Sequence, residues 1–228
     1  MSITALDFAS PFFPISYVQG EGQCAVRKKS IVFNMSEEDL YINGRPLGFF
    51  RATVAVKTVI QHLACALIIE KFDAYPDQKA LFEQVKNKWV LAYDATHEER
   101  HKGVALWRSP KIKLGHIAVN MCLAGSVPLN VGLHREHWGG PPIKEVHVQI
   151  VGLGRMQQYY ENDLKTLYRE DPMAPGVAHP PMYDENTEYP WHQYETTTPG
   201  IFMAVEMQPI DESLEGRSAS LTTWLSGK

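Results

Sequence analysis

Residues 132–156, "GLHREHWGGPPIKEVHVQIVGLGRM", gather three histidines and two glutamates around a Gly-Pro turn. Imidazole nitrogen and carboxylate oxygen are the donors that first-row divalent metals take, and both groups move protons near neutral pH. In "KEVHVQIVG", strand alternation puts Glu145, His147 and Gln149 on one face and Val146, Val148 and Ile150 on the other. A polar face turned to solvent would make this an ordinary half-buried strand. The histidine distribution argues otherwise, because five of the nine, His134, His137, His147, His179 and His192, fall between residues 134 and 192, each on or beside a predicted strand. Imidazole and carboxylate clustered on neighbouring strands are what a metal site needs.

The elements that must hold these groups change character near residue 100. Past His97 the chain reads as short apolar runs broken by Gly and Pro: "KLGHIAVNMCLAG", "VPLNVGLH", "KEVHVQIVG", "GRMQQYYE", "YPWHQYET" and "GIFMAVEM". Many short strands at such spacing indicate a sandwich or barrel. Earlier, "KKSIVFNM" alternates as a strand and "YINGRPLGFF" carries an Asn-Gly turn. From Ala52 to Phe72 the positions Val56, Val59, Ile60, Leu63, Leu67 and Phe72 approximate a helical stripe. "PDQKALFEQVKNKW" predicts a second helix, capped by Asp77, with Leu81, Phe82, Val85 and Trp89 on one face. The expected organisation is mainly β: strands and helices over 1–98, a barrel over 99–210 and a polar tail over 211–228.

Composition narrows the function. A formal net charge of -4 with mixed signs gives no basic footprint for nucleic acid, so a small-molecule partner is expected. Cys24, Cys65 and Cys122 are few and widely spaced, which fits reduced thiols better than a disulfide framework. The first residues do not read as a secretory signal, and "VIQHLACALII" is too short to span a bilayer, so no membrane association and a cytoplasmic location are expected.

The histidine-rich stretch resembles the first motif of the cupins, which runs from a glycine through a His-x-His pair to a glutamate and, after six intervening residues, a glycine. Gly132, Glu145 and Gly152 match; the histidine half is His-x-x-His, as His134 and His137, with a longer gap filled by "WGGPPIK". The second cupin motif has two counterparts, "PGVAH" at 175–179 and "YPWHQYETTTPGIFMAVEM" at 189–207. The resemblance covers roughly residues 100 to 208 and implies a double-stranded β-helix, or jelly-roll barrel, with an α-helical N-terminal elaboration outside it. It further implies that the opening stretch forms two antiparallel strands joined at "GGPP".

On this resemblance His137, Glu145 and His192 are the expected metal ligands, with His134 the next. A regular strand through Leu133 would aim His134 and His137 to opposite faces unless a bulge or turn intervenes. His147 is either a fourth ligand or a base beside the metal, and Tyr194, two residues beyond His192, is a pocket donor. Gln149, Arg155 and His179 are candidate substrate contacts, although a surface ion pair is the commoner use of an arginine such as Arg155 and a loop histidine such as His179 is as often structural. "HEERHK" (97–102) reads as a solvated turn, and Cys122 as a small core residue.

The resemblance implies a metal-dependent enzyme, holding Fe, Zn, Ni or Mn and acting on a small oxygen-rich organic molecule by dioxygenase, isomerase, lyase or dehydratase chemistry. The alternative is a non-catalytic binding or sensor module without metal. The apolar segment "SPFFPISYV" suits an edge contact between two copies, so a homodimer is expected.

Overall fold

In the computed structural model, residues 1–135, 144–182 and 188–207 are described. The chain is a stack of antiparallel sheets, and its positioning logic lies in which face of each strand meets which neighbour. The first half forms a five-stranded sheet in the order Ser2–Leu6, Ile15–Gln19, Cys65–Glu70, Ser30–Asn34, Ala52–Ala55. Its central strand is buried on both sides. Ala66 and Ile68 pack with Val18 and Val32 against a four-stranded sheet built from Cys24–Val26, Thr58–Gln61, Leu40–Ile42 and Arg45–Leu47. Leu67 and Ile69 face the other way, joining Ile31, Phe33 and Phe13 in the largest core cluster.

That cluster is shared with the second half, where a six-stranded sheet runs Val90–Leu91, Leu106–Arg108, Ile117–Ala124, Gly200–Met207, Lys144–Val151, with Ile112–Leu114 also paired to Ile117–Ala124. Val119, Met121, Val146, Val148, Ile201 and Met203 point into the shared core. The opposite face of this sheet, carrying Cys122, Phe202 and Ala204, packs on Met156, Met173 and Tyr194 of a three-stranded sheet made of Leu167–Met173, Gly154–Tyr159 and Trp191–Thr196. The candidate site lies between these last two sheets.

Several expected elements form where their residue types require. The helix Gln78–Lys86 is capped by the Asp77 side chain, which accepts from the Ala80 N–H, and it buries Leu81, Phe82 and Val85. Asn43 and Gly44, both at positive φ, turn Leu40–Ile42 into Arg45–Leu47, the geometry that Asn-Gly supplies at least cost.

Two expectations are corrected. The stretch from Ala52 to Phe72 is not a helix but three strands, Ala52–Ala55, Thr58–Gln61 and Cys65–Glu70, separated by turns at Lys57 and His62, both at positive φ. Thr53, Val54, Val56, Thr58, Val59, Ile60, Ile68 and Ile69 are β-branched and prefer the pleated backbone, and a strand buried on both faces imitates a helical stripe. The N-terminal elaboration is therefore β-rich: strands and bridges take 47% of the described residues, and Gln78–Lys86 and the short Ala92–Thr96 are the α-helices among them. Second, "VPLNVGLH" forms no strand. Pro128 lacks the N–H a ladder needs and Gly132 sits at positive φ, so only His134 makes a β-bridge, and it does so with His192. Lys144–Val151 pairs with Gly200–Met207 instead of with the preceding segment. The "GGPP" turn and His137 lie outside the described residues.

Candidate metal centre

The His134–His192 bridge organises the site. The His134 N–H donates to the His192 carbonyl at 3.1 Å and the His192 N–H returns the bond at 2.9 Å, holding the two imidazole centroids 4.3 Å apart. Each ring is oriented from behind by the main chain. His134 Nδ1 lies 3.1 Å from the Gly132 carbonyl oxygen, and His192 Nδ1 lies 3.0 Å from that of Pro190. A carbonyl can only accept, so both Nδ1 atoms carry the proton and both Nε2 atoms keep a lone pair to offer, the tautomer found in histidines that ligate through Nε2.

Glu145 completes the group. Strand alternation sends Val146 into the shared core and Glu145 to the site face, where its backbone N–H donates to the Tyr189 hydroxyl at 3.1 Å. One ligand atom each from His134, Glu145 and His192 lie within 4.8 Å of one another, with Glu145 and His192 buried and His134 half-buried. Two neutral imidazoles and a carboxylate in one partly buried spot fit a divalent first-row metal. Glu145 sits directly across from Glu206, a second buried carboxylate, whose own neutraliser is Lys111 at 2.5 Å.

His147 follows Glu145 by two and shares its face. Its Nε2 is 3.3 Å from Glu145 Oε2, and its ring meets Phe202 and Tyr194 edge-on. His147 Nδ1 is buried and has no hydrogen-bond partner among the described residues. Beneath it, His179 is fully engaged: Nδ1 bonds the Pro180 carbonyl at 2.8 Å, and Nε2 accepts the His147 backbone N–H, also at 2.8 Å. Burial first, and then the adjacent His147, push the His179 pKa down to about 3, so this imidazole stays neutral. It buttresses the Lys144–Val151 strand and does not line the cavity.

The remaining expected residues separate. The Tyr194 ring lines the cavity, and its hydroxyl donates to Gln149 Oε1 at 2.6 Å. Gly154 leaves the space this phenol occupies, since a Cβ there would collide with the Tyr194 hydroxyl. Burial raises the Tyr194 pKa well above its ordinary value, which keeps the group a proton donor. Gln149 spends its other end on the Val151 carbonyl at 2.8 Å and stays behind Tyr194. Arg155 pairs with Glu195 at 2.6 Å and Glu170 at 3.2 Å on the three-stranded sheet, away from the cavity.

Other residues reach the site without a sequence signal that singled them out. The cavity, about 320 Å³, is also lined by Glu98, Arg100, His101, Arg108, Lys111 and Glu206. The segment "HEERHK", expected to be a solvated turn, instead folds as a 3-10 turn over Glu99–His101 that buries His101 and brings Glu98 and Arg100 to the cavity. His101 Nδ1 is 3.1 Å from the Thr96 hydroxyl, and burial, reinforced by Arg100, lowers its pKa to about 4. Arg108 shares the cavity face with Leu106, while Trp107 between them turns to the opposite core. Cys122 also borders the cavity, and burial raises its thiol to about 11, which keeps it a thiol.

No protein-family model matches the chain, and no curated protein matches it. Solved structures to which it is similar include AerE from Microcystis aeruginosa, at 10% identity and a TM-score of 0.35 over 91% of this chain and 97% of that one. A salicylate 1,2-dioxygenase from Pseudoaminobacter salicylatoxidans aligns at 10% identity and a TM-score of 0.34 over 90% of this chain and 73% of its own. HEPD from Streptomyces albus, solved with 2-hydroxyethylphosphonate and Fe(II) bound, aligns at 7% identity and a TM-score of 0.32 over 100% and 76%. These neighbours are cupin-fold proteins, the family that the sequence resembles. At TM-scores of 0.35 and below the likeness carries no argument about the site, which rests on its own geometry.

Proposed function

We propose that the chain is a cupin-type metalloenzyme in which His134, Glu145 and His192 hold one divalent transition metal, Fe, Zn, Ni or Mn, at the mouth of a jelly-roll barrel. The observation that carries this reading is the convergence of three ligand atoms within 4.8 Å, two of them on imidazoles whose Nδ1 atoms are already engaged by backbone carbonyls. His137 is a further proposed ligand, on the family resemblance alone. A metal bound there supplies Lewis-acid or redox activation of a small oxygen-rich organic molecule.

The protein's own groups would do the rest. His147 Nε2, 3.3 Å from Glu145, is placed to hold or receive a proton beside the reacting molecule. Tyr194, kept protonated by burial, offers a neutral wall, with its hydroxyl turned to Gln149. Phe202, Leu129 and Val131 exclude water from the apolar side of the cavity. Dioxygenase, isomerase, lyase and dehydratase chemistry are all compatible with such a centre.

Elemental analysis of protein purified without a polyhistidine tag tests the proposal. Near-stoichiometric metal in the wild type, with loss in Glu145→Gln and His192→Ala, is expected. A folded wild type that binds none of the four metals on reconstitution would favour the metal-free binding module instead.

A further inference from the structure

Two cations on the cavity wall converge on one carboxylate. Lys111 Nζ contacts both Glu206 oxygens, at 2.5 and 2.6 Å, which satisfies that carboxylate. Arg108 reaches the same group only at 3.6 Å, beyond hydrogen-bond distance, and its guanidinium makes no hydrogen bond among the described residues. Its side chain is nonetheless only 14% exposed. Arg100, on the same wall, is by contrast held by Glu98 at 2.6 Å. A guanidinium carries five N–H donors in a planar fork, and a nearly buried one whose ion-pair partner Glu206 stays at 3.6 Å keeps donors for something that arrives.

Charge balance says what arrives. Among the described residues the cavity is lined by three cations, Arg100, Arg108 and Lys111, and three carboxylates, Glu98, Glu145 and Glu206. These cancel, and His101 adds nothing because burial keeps it neutral near pH 7. A divalent ion on His134, Glu145 and His192 leaves these described groups with an excess of two positive charges, which favours an anionic ligand. Its size is limited, since about 320 Å³ lies at the low end of the roughly 300–1,000 Å³ range of small-molecule sites.

We infer that the cavity takes a small carboxylate, with the planar carboxylate clamped by the Arg108 fork and Lys111 fixing Glu206 behind it. This inference deepens the metal-centre proposal and rests on it for the charge excess, but the clamp itself belongs to Arg108 and can be read without metal. Calorimetric titration of the full chain with malonate, malonamide and inorganic phosphate, alongside metal content, separates the possibilities.

Malonate is expected to bind the metal-loaded protein, and Arg108→Gln to weaken it by roughly 10- to 100-fold while metal content stays unchanged. Arg108→Lys, which keeps the charge and loses the fork, should fall between them and serves if the glutamine variant does not fold. Malonamide binding as well as malonate, phosphate binding more tightly than malonate, or Arg108 variants within twofold of wild type would each overturn the inference. A wild type that refuses metal yet binds malonate in an Arg108-dependent way would sink the metal proposal and leave this one standing.

Discussion

Two strands, Cys65–Glu70 at the centre of one large sheet and Lys144–Val151 at the end of the other, are both buried and differently used. Cys65–Glu70 presents Leu67 and Ile69 to one core and Ala66 and Ile68 to another, so both faces are apolar. Lys144–Val151 presents Val146, Val148 and Ile150 to the shared core, but turns Glu145, His147 and Gln149 inward on its other face. Burying such groups costs free energy unless each finds a partner. The first sheet spends its two faces on stability. The second gives one face to stability and the other to the candidate site, and that division within a single strand supports the proposed function.

Exchanging the faces should break the contrast most violently. Val148 is fully buried, and Val148→Asp places an unpaired charge in the core between the two large sheets. Destabilisation of roughly 4 kcal/mol or more is expected, read as loss of the cooperative thermal transition. His147→Ala, one residue away, should leave the fold in place at a cost no greater than about 1–2 kcal/mol, because the backbone N–H to His179 survives, while ligand turnover is lost. If the two variants exchanged outcomes, the strand register would be wrong.

Acid should act on the site face through His179. Its folded pKa of about 3 lies below the ordinary imidazole value of about 6.5, so the unfolded chain binds the proton first. The stability present above pH 6.5 is then lost progressively as pH falls toward 3, and protonation also removes the acceptor for the His147 N–H. In metal-free protein, the thermal midpoint of the wild type should drop across this window. His179→Gln should start lower and show a shallower acid limb; a limb of unchanged steepness would assign the effect to other groups, such as His101.

Smaller effects should follow from Tyr194→Phe and Arg155→Ala. The first removes a 2.6 Å bond and leaves Gln149 Oε1 buried without its donor, for a loss of about 1–2 kcal/mol. The second breaks half-exposed ion pairs and should cost at most about 1 kcal/mol, with metal and malonate binding unaltered. Weakened malonate binding in Arg155→Ala would restore Arg155 as a substrate contact.

The site face was legible because a strand has a period of two: Glu145, His147 and Gln149 could be placed from spacing alone, and so could the valines opposite. His192 and Tyr194 followed for the same reason on Trp191–Thr196. The segment holding His134 was harder. It is irregular, and its position comes from a single bridge to His192 across 58 residues, which no local pattern encodes. "HEERHK" misled for a physical reason: charge density in a short segment usually means solvent, but here Glu98 and Arg100 neutralise one another, which lets the segment turn over the cavity. Arg108 and Lys111 went unremarked because "LWRSPKIK" offers too few apolar positions to fix a face. Over 52–72, one strand buried on both sides, Cys65–Glu70, and two strands of four residues each left too little alternation to distinguish strand from helix.

The centre itself is tested most directly by X-ray absorption at the metal edge of reconstituted wild type, His134→Ala and His192→Ala. The account predicts nitrogen and oxygen scatterers at about 2.0–2.2 Å with no sulfur, and at least two imidazoles in the wild type, a third marking His137. Each variant should bind metal more weakly and, where loaded, lose one imidazole. A sulfur shell at about 2.3 Å, or an imidazole count unchanged in both variants, would place the metal elsewhere and contradict the account.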